Sequence, residues 1–157
     1  MKQQIYIIDA SALIDANHNY NMKKSIFTPI WDRLSEMFES KTLLSSIEIF
    51  DEVRDTDLKK WLRTYKECFV PLSEKIQNNA IKILDKYPHM INVNKGQKAG
   101  SSSGDPFLVA TAMSIPDSII VTNEKSGGIG SAKMPNVCHN YEIECINLLE
   151  FIDRVLE

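Results

Sequence analysis

Two short apolar runs constrain the fold of this 157-residue chain more than any other feature of its sequence. Residues 5–8 (Ile-Tyr-Ile-Ile) form the first run and residues 118–122 (Ser-Ile-Ile-Val-Thr) form the second. Because neither run alternates apolar with polar residues, each predicts a strand that is buried on both faces, as in a parallel sheet. Segments with apolar residues at intervals of three and four predict amphipathic helices between the strands. This alternation predicts one α/β domain over residues 1–157, with a central, mainly parallel sheet flanked by helices.

Capping residues and composition divide this domain into segments. Thr28, followed by proline, predicts the start of one helix, Ser11 predicts the cap of an earlier one, and Asn147 predicts the cap of the last one. The segment 92–104 is rich in Gly, Ser and Lys, which is typical of a flexible loop. We interpret residues 18–39 as a helical elaboration of the domain.

Composition excludes several classes of protein. The formal charge is -3 and the pI is about 5.7, which argues against a protein that grips nucleic acid by bulk positive charge alone. No apolar run approaches the roughly 20 residues that a membrane span requires, so no membrane association is expected. The three cysteines (Cys68, Cys138 and Cys145) form no CxxC pair, which favours free thiols and a cytoplasmic location.

Four acidic residues occupy positions where parallel α/β sheets bind ligands. Asp9 directly follows the first strand and Glu124 follows the second, while Asp105 begins a predicted helix and Glu52 lies in the helix after a predicted strand at 42–45. Ligands bind at the carboxyl ends of the strands in such sheets, so we expect these side chains to converge. Carboxylates that lie close together need compensating charge, and Mg²⁺ or Mn²⁺ prefers oxygen ligands of this kind.

Each acid also has an ordinary structural interpretation. Asp105 is suited to a helix cap, Glu52 stands beside Glu48 and Asp51 on a helix that solvent can reach, and Glu124 is compatible with a loop. Taken one at a time, these signals are weak, and their order along the chain strengthens them.

The segments that carry these acids resemble the PIN-domain nucleases. They read Ile-Ile-Asp-Ala-Ser-Ala-Leu-Ile at 7–14, Ser-Ile-Glu-Ile-Phe-Asp-Glu-Val at 46–53, Asp-Pro-Phe-Leu-Val-Ala at 105–110 and Ile-Val-Thr-Asn-Glu at 120–124. The resemblance covers nearly the whole chain in the right order, and it is closest to the small VapC-like toxin branch, in an uncharacterised subgroup. One departure is that Glu124 stands where the family commonly has Asp.

The resemblance implies a three-layer PIN-like fold and a metal-dependent endoribonuclease that uses Mg²⁺ or Mn²⁺. It assigns catalysis and metal binding to four carboxylates: Asp9, Glu52, Asp105 and Glu124. Ser11 and Thr122 match polar positions that support these ligands in the family, and we expect the adjacent Asn123 to do the same. The implied mechanism is hydrolysis of a phosphodiester bond by a water that bound metal activates, without a protein nucleophile.

Substrate and partners follow from the same interpretation. Two bound Mg²⁺ ions would change the formal charge from -3 to +1, which removes the objection raised by the acidic pI. We expect Lys95, Lys98 and Lys125 to contact the RNA backbone.

The toxin interpretation adds an antitoxin protein as a partner. Three aromatic residues on predicted amphipathic helices (Trp31, Phe38 and Trp61) suggest a homodimer, because their apolar area is large for one small core. The alternative is that these side chains are simply part of the core.

Other functions stay open at this point. The chain is also compatible with an RNA-processing or DNA-acting PIN nuclease, or with a catalytically eroded PIN-fold binding module. A phosphatase of the haloacid-dehalogenase type fits less well, because it requires a second Asp two residues after the first, where this chain has Ser11. A response-regulator receiver domain fits poorly as well.

Overall fold

The computed structural model describes residues 3–90, 105–128 and 131–156, and of Asp105 the backbone alone. The strands are β1 (Tyr6–Ile8), β2 (Leu43–Ser46), β3 (Phe69–Val70), β4 (Ile119–Val121) and β5 (Glu144–Ile146). The α-helices are α1 (Ala10–Asn19), α2 (Thr28–Glu39), α3 (Ile47–Glu52), α4 (Thr56–Arg63), α5 (Glu74–Lys86), α6 (Asp105–Met113), α7 (Met134–Asn140) and α8 (Leu148–Val155). Short 3₁₀ turns lie at Ser25–Phe27, Lys66–Cys68 and Pro88–Met90.

The five strands form one sheet in the order β3-β2-β1-β4-β5, and every neighbouring pair is parallel. Tyr6, Ile7 and Ile8 of the central strand are all buried, as expected for a strand covered on both faces. The predicted fold class, an α/β domain with a parallel central sheet between helices, is therefore confirmed.

The strand order places a topological switch point beside β1. The chain leaves β1 for β2 on one side and later returns to β4 on the other side. Right-handed crossovers then place α1 to α4 on one face of the sheet and α5 to α7 on the opposite face. Contacts of α6 with α5 and α7, and of α1 with α3 and α8, agree with this three-layer arrangement, while α3, which begins directly after β2, also contacts α6. The carboxyl ends of β1 and β4 therefore border the crevice where α/β sheets bind ligands.

The aromatic residues of α2 pack inside this one chain. Trp31 and Phe38 are buried, and each lies edge-on to Trp61, with ring centroids 5.0 Å and 5.6 Å apart. The Trp31 indole N–H donates to the Tyr20 carbonyl at 2.6 Å, so its polar atom is satisfied as well. The apolar area that suggested a homodimer is thus covered largely within the core, as the alternative interpretation predicted, and the homodimer itself stays a prediction.

Two of the three predicted helix starts are confirmed, and one is wrong. Helix α2 begins at Thr28 with proline next to it, although Phe27 and not the predicted Thr28 occupies its N-cap position. The Asn147 side chain caps α8 by accepting the Glu150 N–H at 2.9 Å. Ser11, by contrast, lies within α1, whose N-cap position is Asp9. The Ser11 hydroxyl is directed to the Asp9 carboxylate and therefore does not cap the helix.

Two further sequence predictions concern the course of the chain. The predicted loop at 92–104 lies outside the described residues. Residues 18–39 contain the end of α1, a 3₁₀ turn and α2, and their interpretation as an elaboration of the domain stays a prediction. No helix in the described ranges is both long and apolar enough to cross a bilayer.

Candidate active site

Asp9 is the centre of the candidate site. It follows β1 at the carboxyl edge of the sheet, its side chain is only 2% exposed, and its N–H donates to the Val121 carbonyl at 2.9 Å. One carboxylate oxygen, Oδ2, accepts hydrogen bonds from the hydroxyls of Ser11 at 2.7 Å and Thr122 at 2.8 Å. The other oxygen, Oδ1, is buried and has no hydrogen-bond partner among the described residues.

Burial dominates the electrostatics of Asp9. Loss of hydration raises the pKa of the carboxyl above its ordinary value, although the Ser11 and Thr122 hydroxyls and the nearby backbone N–H groups of Ala10 and Ser11 each lower it. A buried carboxylate with one oxygen fully bonded and one oxygen open is costly unless a proton or a cation compensates its charge. This oxygen is therefore a position where a positively charged ligand binds favourably.

The two hydroxyls are oriented by the loop that follows β4. The Asn123 N–H donates to Ser11 Oγ at 3.0 Å, and the Glu124 N–H donates to Thr122 Oγ1 at 3.1 Å. A hydroxyl has a single hydrogen to donate. Because each oxygen already accepts from the backbone, each can direct that hydrogen to Asp9. The loop thus fixes both donors that hold Oδ2.

Asn123 connects this loop to two helices. Its side-chain amide donates to Asp15 Oδ2 of α1 at 2.7 Å, and its carbonyl oxygen accepts the Leu148 N–H at the start of α8 at 2.8 Å. Sequence reasoning selected Asn123 as a supporting residue but missed Asp15. Nothing in the local sequence pattern distinguishes Asp15 from an exposed helix residue, because its partner lies 108 positions away.

A second group of polar residues, also missed by sequence reasoning, lies at the end of β2 and the start of α3. The hydroxyl of Ser45 donates to the Ile8 carbonyl at 2.6 Å, but Ser46 Oγ and Glu48 Oε2 are buried without a hydrogen-bond partner in the described part of the chain. Burial raises the pKa of Glu48, and the charge of Asp51 adds to this, while the Glu48 N–H and the nearby Ser46 hydroxyl lower it. Ser46 is the last residue of strand β2, and Asp9 directly follows strand β1. This similar position at the end of a buried strand is the signal that sequence reasoning overlooked.

The structure gives fewer contacts for the other three predicted metal ligands than for Asp9. Glu52 is the last residue of α3 and Glu124 lies in the loop after β4, and both side chains are partly buried. Glu124 Oε1 lies 3.4 Å from the Met134 N–H at the start of α7. Asp105 is the first residue of α6, and its side chain lies outside the described part.

The structure brings Asp9 together with Ser11 and Thr122, and Asn123 contacts this group through its N–H. Among the side chains that are described, no three His, Cys, Asp or Glu residues form a group that could hold a metal ion. Convergence of the four predicted carboxylates therefore stays a prediction.

Of the three lysines that are predicted to contact RNA, the structure describes one. Lys125 is exposed and directly follows Glu124 at the carboxyl edge of the sheet. Lys95 and Lys98 lie outside the described residues. The role of all three in binding RNA stays a prediction.

A buried thiol lies within electrostatic reach of the site. Cys138 of α7 is fully buried, and its pKa is raised by an interaction with the Cys145 thiol, by burial, and by the charges of Asp9 and Glu124. All three cysteines are free in the structure. The Cys138 side chain is thus a neutral thiol that adds an apolar surface near the carboxylates.

A groove of about 520 Å³ lies between α2 and α4, and its lining includes Trp31, Trp61 and the Lys23–Asp57 ion pair of 2.8 Å. The described residues that line it include none of those predicted for catalysis or metal binding. The groove is therefore a feature separate from the carboxylate edge.

One family model matches nearly the whole chain. The family model described as "Domain of unknown function (DUF4411)" matches residues 6–156. The chain belongs to this family. No curated protein matches its sequence. Because the match extends from the start of β1 to the residue after α8, the DUF4411 domain comprises the complete sheet and every residue predicted for the site.

Proposed function

We propose that this DUF4411 chain is a metal-dependent endoribonuclease that hydrolyses RNA phosphodiester bonds and is the toxin of a toxin–antitoxin pair. The observation that carries the proposal is the state of Asp9, a buried carboxylate at the topological switch point of a parallel sheet with one oxygen open. Open α/β sheets bind their ligands at this place. The ordered resemblance of four acidic segments to the PIN-domain nucleases supports the same activity.

The residues at this edge fit a divalent cation. Asp9 Oδ1 is a hard oxygen donor that is buried and has no partner in the described part of the chain, and such an atom favours Mg²⁺ or Mn²⁺. The residues that would hold the metal are Asp9, Glu52, Asp105 and Glu124. When bound, the metal would supply an activated water and would neutralise charge on the scissile phosphate.

The other polar residues serve to position Asp9. Ser11 and Thr122 hold Oδ2, so that Oδ1 keeps one fixed direction. Asn123 fixes the loop by its bonds to α1 and α8, and this loop in turn orients both hydroxyls. Lys125 stands next to the site on an exposed part of the same loop and would attract the RNA backbone. A rigid site of this kind needs little reorganisation when substrate binds.

A nuclease assay tests the proposal. The purified chain should cleave RNA in Mg²⁺ or Mn²⁺ and stop in excess chelator, and Asp9→Asn should lose at least ~10²-fold in rate. Asp153→Asn is a matched control, because Asp153 is an exposed acid of α8 and is not one of the residues predicted for the site. Equal cleavage with and without chelator, or an Asp9→Asn variant as active as Asp153→Asn, would contradict the proposal. Single-stranded DNA in the same assay tests the DNA-acting alternative.

The toxin role needs a separate test. Expression of the wild-type chain in bacteria should arrest growth, whereas Asp9→Asn at the same expression level should not. A small protein encoded beside the chain should relieve the arrest and bind the purified chain. Light scattering at tens of micromolar then tests the predicted homodimer. Cleavage of RNA without growth arrest would favour an RNA-processing nuclease instead.

A further inference from the structure

Asp9 lies in a row of polar residues that crosses three neighbouring strands. Ile7 is opposite Leu44 of β2, and Ile8 is opposite Val121 of β4. Continuing both registers to Asp9 places Ser46 on one side of it and Thr122 on the other. Side chains at the same level of neighbouring parallel strands point to the same face of the sheet, and the strands are about 4.8 Å apart. The hydrogen bond from Thr122 to Asp9 agrees with this placement.

The two sides of this row differ in one respect. On the β4 side, the Thr122 hydroxyl bonds to Asp9 Oδ2. On the β2 side, Asp9 Oδ1 and Ser46 Oγ are both buried and neither has a hydrogen-bond partner in the described ranges. Buried polar atoms in native proteins are almost always bonded. Two such atoms at adjoining positions therefore indicate a ligand between them.

Helix α3 carries a third atom of this kind near Ser46, whose hydroxyl is close enough to Glu48 to lower the pKa of its carboxyl. It begins directly after Ser46, and Glu48 lies in its first turn with Oε2 buried and without a partner in the described part. Residues four apart lie on the same face of a helix, so Glu48 shares its face with Glu52, the acid already predicted as a ligand. The unpartnered group thus contains two carboxylate oxygens and one hydroxyl oxygen.

We propose that Asp9, Ser46 and Glu48 form a subsite for a divalent cation of the Mg²⁺ or Mn²⁺ type, in which Ser46 and Glu48 are ligands in addition to the four predicted acids. The occupant is a cation because two carboxylates, each with a buried oxygen that has no partner in the described ranges, require positive charge, which a water molecule does not supply. All three ligand atoms are hard oxygens, as Mg²⁺ prefers. This inference rests on the proposed metal-dependent function.

Titration calorimetry of the full chain with Mn²⁺ tests the role of Glu48. Glu48→Gln should weaken Mn²⁺ binding by at least about 10-fold, because even the groups that only orient a metal's ligands contribute about 10- to 100-fold. Asp153→Asn is the control, since Asp153 is an exposed acid of α8 and lies outside helix α3, which carries Glu48. Its Mn²⁺ affinity should equal that of the wild type.

Melting curves test the role of Ser46 without reference to activity. Ser46→Ala removes a buried hydroxyl that has no hydrogen-bond partner among the described residues, so in chelator it should melt at or above the wild-type temperature. Ser45→Ala, the neighbouring control, loses the bond to the Ile8 carbonyl and should melt below it. When Mn²⁺ is added, Ser46→Ala should gain less in melting temperature than the wild type, whereas Ser45→Ala should gain the same amount.

The outcomes separate this inference from the proposed function. If the wild type binds Mn²⁺ and Glu48→Gln and Ser46→Ala bind it equally well, the subsite is overturned and the proposed function stands. If the wild type binds no Mn²⁺, both are overturned.

Discussion

Replacing Thr122 with valine tests whether the hydroxyls at the sheet edge hold Asp9 as a charged group. The substitution keeps the branched shape of the side chain and removes its oxygen. Two hydrogen bonds are then lost, the donation to Asp9 Oδ2 at 2.8 Å and the acceptance of the Glu124 N–H at 3.1 Å, together with the 3.1 Å contact to Ser11 Oγ. Because Thr122 is only 2% exposed, water does not replace them.

The expected loss of stability follows from these contacts. A hydrogen bond to a charged group contributes about 1.5–3 kcal/mol, roughly twice the value for a neutral pair. We therefore expect Thr122→Val to lower the free energy of unfolding by about 1.5–3 kcal/mol at pH 8 in chelator.

The loss should depend on pH in a definite direction. Burial raises the pKa of Asp9, and the Thr122 hydroxyl partly opposes this by stabilising the charged form. Thr122→Val therefore raises the pKa of Asp9 further. A carboxyl whose pKa is raised in the folded state opposes folding at high pH and ceases to do so as pH falls and the group is protonated. The difference between variant and wild type should thus be largest at pH 8 and should shrink as pH falls.

Urea unfolding of both proteins at pH 8 and at pH 5 measures this difference. Thr111→Val is the matched control, because Thr111 is fully buried and its hydroxyl donates to the neutral Phe107 carbonyl at 2.7 Å. It should lose about 0.5–1.5 kcal/mol at both pH values. If the two threonine variants lose the same amount and neither loss changes with pH, Thr122 does not stabilise a charged Asp9 and the reasoning is refuted.

Three other substitutions have definite expected outcomes. Asn123→Ala should lower both the stability, by about 1–3 kcal/mol, and the cleavage rate, because it disconnects the loop from Asp15 and from Leu148; urea unfolding and the nuclease assay measure these. Asn147→Ala should cost about 1 kcal/mol in urea unfolding through the lost cap of α8 and should leave the cleavage rate unchanged. Asp105→Asn should melt at or above the wild type in chelator and gain less from Mn²⁺, because it removes one of the acids predicted to repel each other; a much lower melting temperature would mark Asp105 as a structural cap.

The sequence by itself determined the local elements and the fold class. An apolar run without alternation predicts a strand buried on both sides wherever it occurs, and residues 5–8 and 118–122 became β1 and β4. Asn147 capped its helix for the same local reason, since the cap bond spans three residues. Asp9 was selected because it ends such a strand, and its burial at the edge of the sheet agrees with that selection.

Tertiary structure decided which polar atoms are bonded and which are left open. Ser11 was predicted as a helix cap from its neighbours, but its hydroxyl bonds to Asp9 because β4 brings Thr122 and the Asn123 N–H beside it from more than 100 positions away. Ser46 looks like its neighbour Ser45 in the sequence, yet one hydroxyl has a partner and the other has none in the described part of the chain. The physical reason is that side chains alternate between the two faces of a strand, and only the order and register of the strands determine what each face meets.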